Sequence, residues 1–416
     1  MVSPIQHDVL ICGAGPAGAH LAIRLATAGW SVGLIDRKLF PRGKPCGEFL
    51  SPECMPLLEE IGLKTAVLDA GARHVRGMRL YGFGRFASGA YKKVGKIDPP
   101  KELGLAIRRE KLDQMAVERA QQCPRIKTYL GWDVSEVLIN EAGRAEGLLV
   151  RDACGTRHEM RASFVVGADG AKSRIAREMG WHRPDQKLQR WALIARFSGV
   201  QAKVDAEVHF LEDAYFAACS IDGDEFTANL VLNASALPKG ARNLRETFFQ
   251  HVGRAPELAK RLQSASLVSD VRACGPFATS ATQCTGPGAA LVGDACGFVD
   301  PLTGEGIFIA MRGASLLADA LKEALEYPER EARAFAEYET QRRKIFGARR
   351  KLARLLQRGI RHPALISGAL RVLAGRPGLC DLLVGLTGDY VPHSELLKPA
   401  VWMQALRRKS KIANAS

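Results

Sequence analysis

The residues whose types and spacing constrain chemistry most lie near the amino terminus. Gly13-Ala14-Gly15-Pro16-Ala17-Gly18 fits G-x-G-x-x-G, and Asp36 follows 18 residues after Gly18. The run before Gly13 reads as a strand, a helix opens at Pro16, and a second strand ends at Asp36. That context makes the six residues a dinucleotide fingerprint and not merely a glycine-rich turn. Gly13 permits the tight turn, Gly15 lets a pyrophosphate approach the backbone, and Gly18 lets helix and strand pack closely. Free N–H groups and the positive helix end stabilise phosphate charge. Asp36, with Arg37 beside it, is placed to accept hydrogen bonds from the adenosine ribose. An acid there disfavours a 2′-phosphate, and so NADP, in this slot.

Two downstream segments add to the fingerprint. Val165-Val166-Gly167-Ala168-Asp169-Gly170 is a strand running into a D-G turn. Gly293-Asp294-Ala295-Cys296-Gly297-Phe298-Val299-Asp300-Pro301-Leu302-Thr303-Gly304-Glu305-Gly306-Ile307 is more specific. With these three motifs in this order, the chain resembles the FAD-dependent monooxygenase superfamily with the para-hydroxybenzoate-hydroxylase fold. Within it, the chain looks most like the geranylgeranyl-reductase-like branch, which neighbours the flavin-dependent halogenases. The likeness covers roughly residues 5–390.

The resemblance implies FAD as cofactor, with reduced nicotinamide, NAD(P)H, as a visiting reductant. Asp294, expected at a strand end, is placed to bond a ribityl hydroxyl. Pro301 and Gly304 shape a loop, and Gly306 and Ile307 open a helix whose amino end faces the flavin pyrimidine edge, where reduced flavin is negative. Arg109 matches an arginine the family sets near the flavin. Val134 matches a residue whose backbone lies near adenine, and Asp169 one that helps hold the flavin region. Phe40-Pro41-Arg42-Gly43-Lys44-Pro45-Cys46-Gly47-Glu48 looks like the branch's segment lining the reacting face of the flavin. Cys46 is a candidate thiolate in a basic setting, and Glu48 a candidate acid or base. Cys46 and Cys54 are eight residues apart, which disfavours a disulfide reductase.

Departures from the family narrow the substrate. Gly297 stands where aromatic hydroxylases often carry histidine, which moves the chain toward the reductase-like branch. In geranylgeranyl reductases Y-x-W-x-F-P floors a prenyl pocket; here the stretch is Tyr215-Phe216-Ala217-Ala218-Cys219-Ser220. The truncated side chains make a geranylgeranyl substrate doubtful. No W-x-W-x-I-P halogenase signature occurs, and none of the nine histidines sits in a metal-binding pattern.

The elements that must carry these residues follow from periodicity. Strands are expected over 6–11, 31–36, 125–139, 144–151, 162–169 and 288–294, with several short strands within 186–232. Helices are expected over 16–28 and 109–122, and through most of the chain from about 305. This is an α/β protein: a Rossmann-like FAD-binding domain of the glutathione-reductase-2 and hydroxylase type, an inserted antiparallel β-sheet substrate domain, and a helical carboxy-terminal region. The expected boundaries are 1–75, 100–185 and 270–330 for the FAD domain, 76–99 and 186–269 for the substrate domain, and 331–416 for the basic helical region.

Composition bounds the rest. With 47% hydrophobic residues among 416, the chain can bury a full core. The formal charge is +15, but residues 331–416 hold 17 Lys/Arg against 6 Asp/Glu. A balanced body with a basic tail is not the pattern of a nucleic-acid binder. Residues 341–362 read as a basic amphipathic helix, with Ile345, Leu352, Leu355, Leu356 and Ile360 toward one side. That helix could meet an anionic membrane or an acidic partner, or pack its stripe on the body with its charges in water. Arg407-Arg408-Lys409 and Lys411 read as a frayed tail. Ten cysteines without a C-x-x-C pair, and no apparent signal peptide, suggest a cytoplasmic protein, at most peripheral to a membrane. The leading expectation is hydroxylation, through a flavin C4a-hydroperoxide, of a lipophilic or carrier- or partner-borne substrate. The alternatives are a flavin-dependent C=C reductase, and an electron-transfer or maturation flavoprotein acting on a partner polypeptide.

Overall fold

The computed structural model describes residues 4–186, 188–237 and 243–407. Its first sheet is centred on the buried runs 9–12, 32–36 and 164–167. Ile5–Cys12 lies between Val32–Asp36 and Arg157–Gly167, with Ile126–Leu130 and Ala289–Leu291 outside them, all parallel. Strands buried on both faces need no polar alternation, and VLIC and VGLID show none. Asp133–Ile139 and Ala145–Arg151 add antiparallel strands on Arg157–Gly167. The register pairs Cys12 with Gly167 and Gly167 with Leu291. The loops leaving those strands therefore emerge side by side at the carboxyl edge, the crevice where open α/β sheets take their ligands.

The inserted sheet runs in the order Ser266–Leu267, Arg190–Ser198, Glu225–Asn233, Ala214–Ser220, Asp205–Phe210, Gly77–Gly82, Arg85–Ala90. It is antiparallel except where Asp205–Phe210 joins Gly77–Gly82 in parallel. Phe216, Ala218, Phe226 and Leu230 face one way, against the helices Leu244–Gly253 and Pro256–Leu262. Tyr215, Ala217 and Cys219 face the other way, toward the loops of the first sheet and the carboxy-terminal helices.

Helix Gly306–Glu326 packs on the opening helix Pro16–Thr27 and on Glu331–Gly359. Pro363–Gly375 and Pro377–Thr387 then cover strand Arg85–Ala90. Two sequence expectations change here. The strand expected over 288–294 ends at Leu291, because Gly293 turns left-handed (φ 64°) and starts the short 3₁₀ turn Gly293–Cys296 that carries Asp294. The long basic helix buries Arg342, Phe346, Arg349, Ala353 and Gln357; of the expected apolar side Ile360 is buried and Ile345 packs on the core, but Leu355 is 64% exposed. Buried acids and thiols facing the helix account for this: Arg349 pairs with Glu305 and Asp389, and Arg342 donates to the Cys284 sulfur. Arg408, Lys409 and Lys411 lie outside the described residues.

Candidate cofactor and active site

The fingerprint loop leaves strand Ile5–Cys12 at Gly13, whose φ of 106° suits glycine; a Cβ there would lie 2.5 Å from the Ala168 carbonyl oxygen. Helix Pro16–Thr27 begins with Gly15 as its cap, without a side-chain cap bond and without an acid in its first turn. Its first N–H groups, at Ala17 and Gly18, are thus left for an anion. An added Cβ at Gly15 would meet only the tip of the Arg42 guanidinium, at 3.4 Å. Asp36 ends the second strand, and its carboxylate accepts from the N–H groups of Ala14 and Lys38, both at 2.9 Å. Asp36 therefore also holds the loop in shape. Arg37 is exposed.

The downstream motifs arrive at the same place. Gly293 lies against Ala17: a Cβ added to it would be 3.2 Å from that of Ala17. The Asp294 carboxylate takes no hydrogen bond from the described residues, and burial raises its pKa while Lys44, Arg109 and Arg350 oppose the shift. Asp169 is pushed up mainly by burial; its Oδ2 accepts from the Arg174 N–H at 2.6 Å, and its Oδ1 has no partner. Gly304 turns left-handed (φ 70°), and a Cβ there would strike the Phe49 ring at 2.8 Å. Pro301 sits in the 3₁₀ turn before it, and Gly306 opens the next helix with no side-chain cap and no acid in the first turn. Ile307 points into the main core, as does Val134. These two serve packing with their side chains.

The segment 40–48 spans these loops. Arg42 lies 3.6 Å from Asp36 and 3.6 Å from Asp113. Lys44 reaches toward Gly170, near Asp294. Cys46 lies beside the Arg109 guanidinium, which is buried and bonded to both oxygens of Asp113 at 3.0 and 2.9 Å. Glu48 ends the segment in a left-handed conformation (φ 58°), uncommon for a side chain and typical of strained functional positions. It is 2% exposed, with Oε2 unpartnered and Arg196 at 3.4 Å. Burial is the largest influence on its pKa, which rises to about 7 against the pull of Arg196. The neighbouring Gly47 carbonyl meets the Cys219 thiol of the inserted sheet at 3.8 Å.

The structure thus gathers the sequence-derived candidates into one cleft, save Arg37, exposed at its end, and the side chains of Val134 and Ile307. Sequence reasoning missed three features. Arg42 ties the fingerprint acid to the Arg109–Asp113 pair. Arg196 binds Glu110 through two bonds of 2.8 Å, joining the inserted sheet to helix Arg109–Gln121. Asn229 presents an unpartnered Oδ1 on the sheet face beside Ala217. Only strand register, which brings 217 opposite 229, could have revealed the last.

Residues 6–350 match a family model described as "FAD binding domain". The chain belongs to this FAD-binding family. Its cleft fits the cofactor: open backbone at Gly15 and Gly306, unbonded carboxylate oxygens at Asp169 and Asp294, and two uncapped helix starts. It is an FAD-dependent oxidoreductase, with the fold of the FAD-dependent monooxygenase superfamily. Similar relatives include the menaquinone reductase of Mycolicibacterium smegmatis, 26% identical over 328 residues and 76% of each chain. The 1H-pyrrole-2-carbonyl-[peptidyl-carrier protein] chlorinase of Pseudomonas fluorescens is 23% identical, over 81% of this chain and 80% of that protein. A solved flavin-dependent brominase superposes with a TM-score of 0.81 at 21% identity, covering 97% of this chain and 98% of that one.

Proposed function

We propose that this oxidoreductase is a monooxygenase, hydroxylating a lipophilic or carrier- or partner-borne organic substrate held between the inserted sheet and the flavin loop, residues 293–307. Bound in the cleft, FAD supplies the redox chemistry. Gly13, Gly15, Pro16, Ala17 and Gly18 hold its phosphates, Asp36 its ribose, and Asp169, Asp294, Pro301, Gly304 and Gly306 its flavin end. The chain's own residues orient the substrate, exclude water and supply a proton.

The observation that carries this reading is the polar floor of the sheet. Asn229 turns its amide nitrogen to the Ala217 carbonyl and the Thr227 hydroxyl, leaving Oδ1 buried and unpartnered. A bare acceptor under a hydrocarbon tail is costly, whereas a substrate O–H or N–H satisfies it. That favours a substrate bearing heteroatoms over a plain prenyl chain. Glu48 is the proton donor: with a pKa of about 7, it is substantially protonated at neutral pH in a water-poor place. Cys46, beside Arg109, packs beneath the substrate.

A second reading, geranylgeranyl-reductase-like C=C reduction, draws on the same Glu48 proton and on the menaquinone reductase relative. NAD(P)H, visiting without a domain of its own, or a partner protein delivers the electrons in either case. An electron-transfer or maturation role on a partner polypeptide would use the exposed basic face around Arg354 and Arg358, which also suits an anionic membrane surface. No helix among the described residues is long and apolar enough to cross a membrane; a cytoplasmic site of action, peripheral at most, remains part of the proposal. Aerobic turnover with candidate substrates, read by product mass, separates the readings. A gain of one oxygen atom supports oxygenation. A gain of two hydrogens, retained without oxygen, replaces it with reduction.

A further inference from the structure

The inserted sheet ends in a second polar cluster that the proposed function does not use. Arg190 heads the largest fully buried side chains, at 2% exposure, yet its Nε and Nη1 have no hydrogen-bond partner. Strand register puts it on the face of Ala192, Val231 and Tyr215. The Tyr215 hydroxyl donates to Oδ1 of Asp300 at 2.5 Å, and the Leu302 N–H donates to the same oxygen at 2.9 Å. Asp300 Oδ2 is left bare. From the long carboxy-terminal helix, Gln357, 1% exposed, approaches the Tyr215 hydroxyl, with neither amide atom in full hydrogen-bond geometry.

Three elements, the sheet, the flavin loop and the helix, thus converge their unsatisfied donors and acceptors. An open depression of about 560 Å³ lies beside Arg190, lined also by Glu212, Asp213, Asn233, Ser235 and Ile360. Its volume is that of a small-molecule site. At its rim Asp213 is engaged by Arg254 at 2.7 Å.

A buried guanidinium with idle N–H groups costs stability. Arg190 offsets the charge of the buried Asp300 carboxylate without hydrogen-bonding to it, so its N–H groups are still left over. A ligand that completes the hydrogen bonds accounts for it. We propose that Arg190, Gln357 and the Tyr215–Asp300 pair form a binding site for an anionic oxygen of the substrate, a carboxylate or an ionised phenol or enol with an O–H or N–H donor close by. The anion takes the Arg190 N–H groups and the Gln357 amide, and the neighbouring donor takes Asp300 Oδ2. Asp300 adjoins Pro301 of the flavin loop, so an anion held there places the rest of the molecule along the row Tyr215–Ala217–Cys219. Only the word "substrate" rests on the oxygenation proposed above; anion binding is read without turnover, so the two fail separately.

The test titrates salicylate, 4-nitrophenolate and uncharged salicylamide into the FAD-loaded protein, by calorimetry and by shift in unfolding temperature. At least one anion binds and salicylamide does not. R190M weakens that binding roughly tenfold to hundredfold, the loss of hydrogen bonds to a charged group. R190M leaves FAD content unchanged. If R190M fails to fold, Q357L carries the affinity measurement. An anion and salicylamide binding alike, neither anion binding, or affinity unchanged in both variants overturns the site.

Discussion

Two glycines three residues apart should fail in opposite ways when changed to alanine. A Cβ at Gly18 would sit 1.8 Å from the Gly13 carbonyl oxygen and 3.2 Å from the Ala168 Cβ. Backbone must move to admit it, and forced overpacking of this kind costs about 1–3 kcal/mol or more. A Cβ at Gly15 meets only a flexible guanidinium at 3.4 Å, and the backbone there (φ −77°, ψ −171°) admits any residue. G15A should therefore change the stability of the apoprotein by no more than about 0.5 kcal/mol. It should still obstruct the pyrophosphate. Losing one charge-assisted hydrogen bond, at about 1.5–3 kcal/mol, weakens FAD roughly tenfold to hundredfold. Thermal unfolding of the apoproteins and flavin-fluorescence titration with FAD read the two effects separately. G15A should unfold like wild type and bind FAD poorly; G18A should unfold earlier. If G15A binds FAD at full strength, the pyrophosphate does not lie over this loop.

Three further outcomes are expected. Glu48, with its folded-state pKa raised to about 7 from an ordinary 4.5, favours folding most below pH 4.5, and that advantage is lost as pH rises to 7. The loss is at most about 3 kcal/mol, so E48Q should gain on wild type in urea unfolding between pH 5 and pH 8; parallel curves would remove the buried-acid role. R349M leaves Glu305 and Asp389 as buried carboxylates without their cation; a loss of about 3–5 kcal/mol is expected, seen as early unfolding with flavin release, and a wild-type melting curve would contradict it. A217W fills the centre of the sheet face, so it should abolish turnover while FAD content holds; undiminished turnover would place the substrate elsewhere.

The convergence of the candidate loops was legible because its signals are local. The fingerprint glycines, Asp36 and the 293–307 loop each announce their own backbone, and parallel register does the rest. The place of Asp294 beside the fingerprint loop was legible but not its conformation, since the left-handed Gly293 packs against Ala17. The long basic helix misled because hydrophobic periodicity cannot foresee that Arg342 and Arg349 face inward toward Cys284, Glu305 and Asp389. The same limit hid Arg190, whose surroundings come from residues 110 and 167 positions away in Asp300 and Gln357. Pairings over such separations are set by tertiary packing and leave no mark on local sequence.

The most direct measurement is the flavin content of the purified protein, released by heat and identified by chromatography after incubation with FAD. Equimolar FAD is expected, held through gel filtration. A colourless chain that takes up neither FAD nor another flavin would contradict a cofactor site between Gly15 and Asp294.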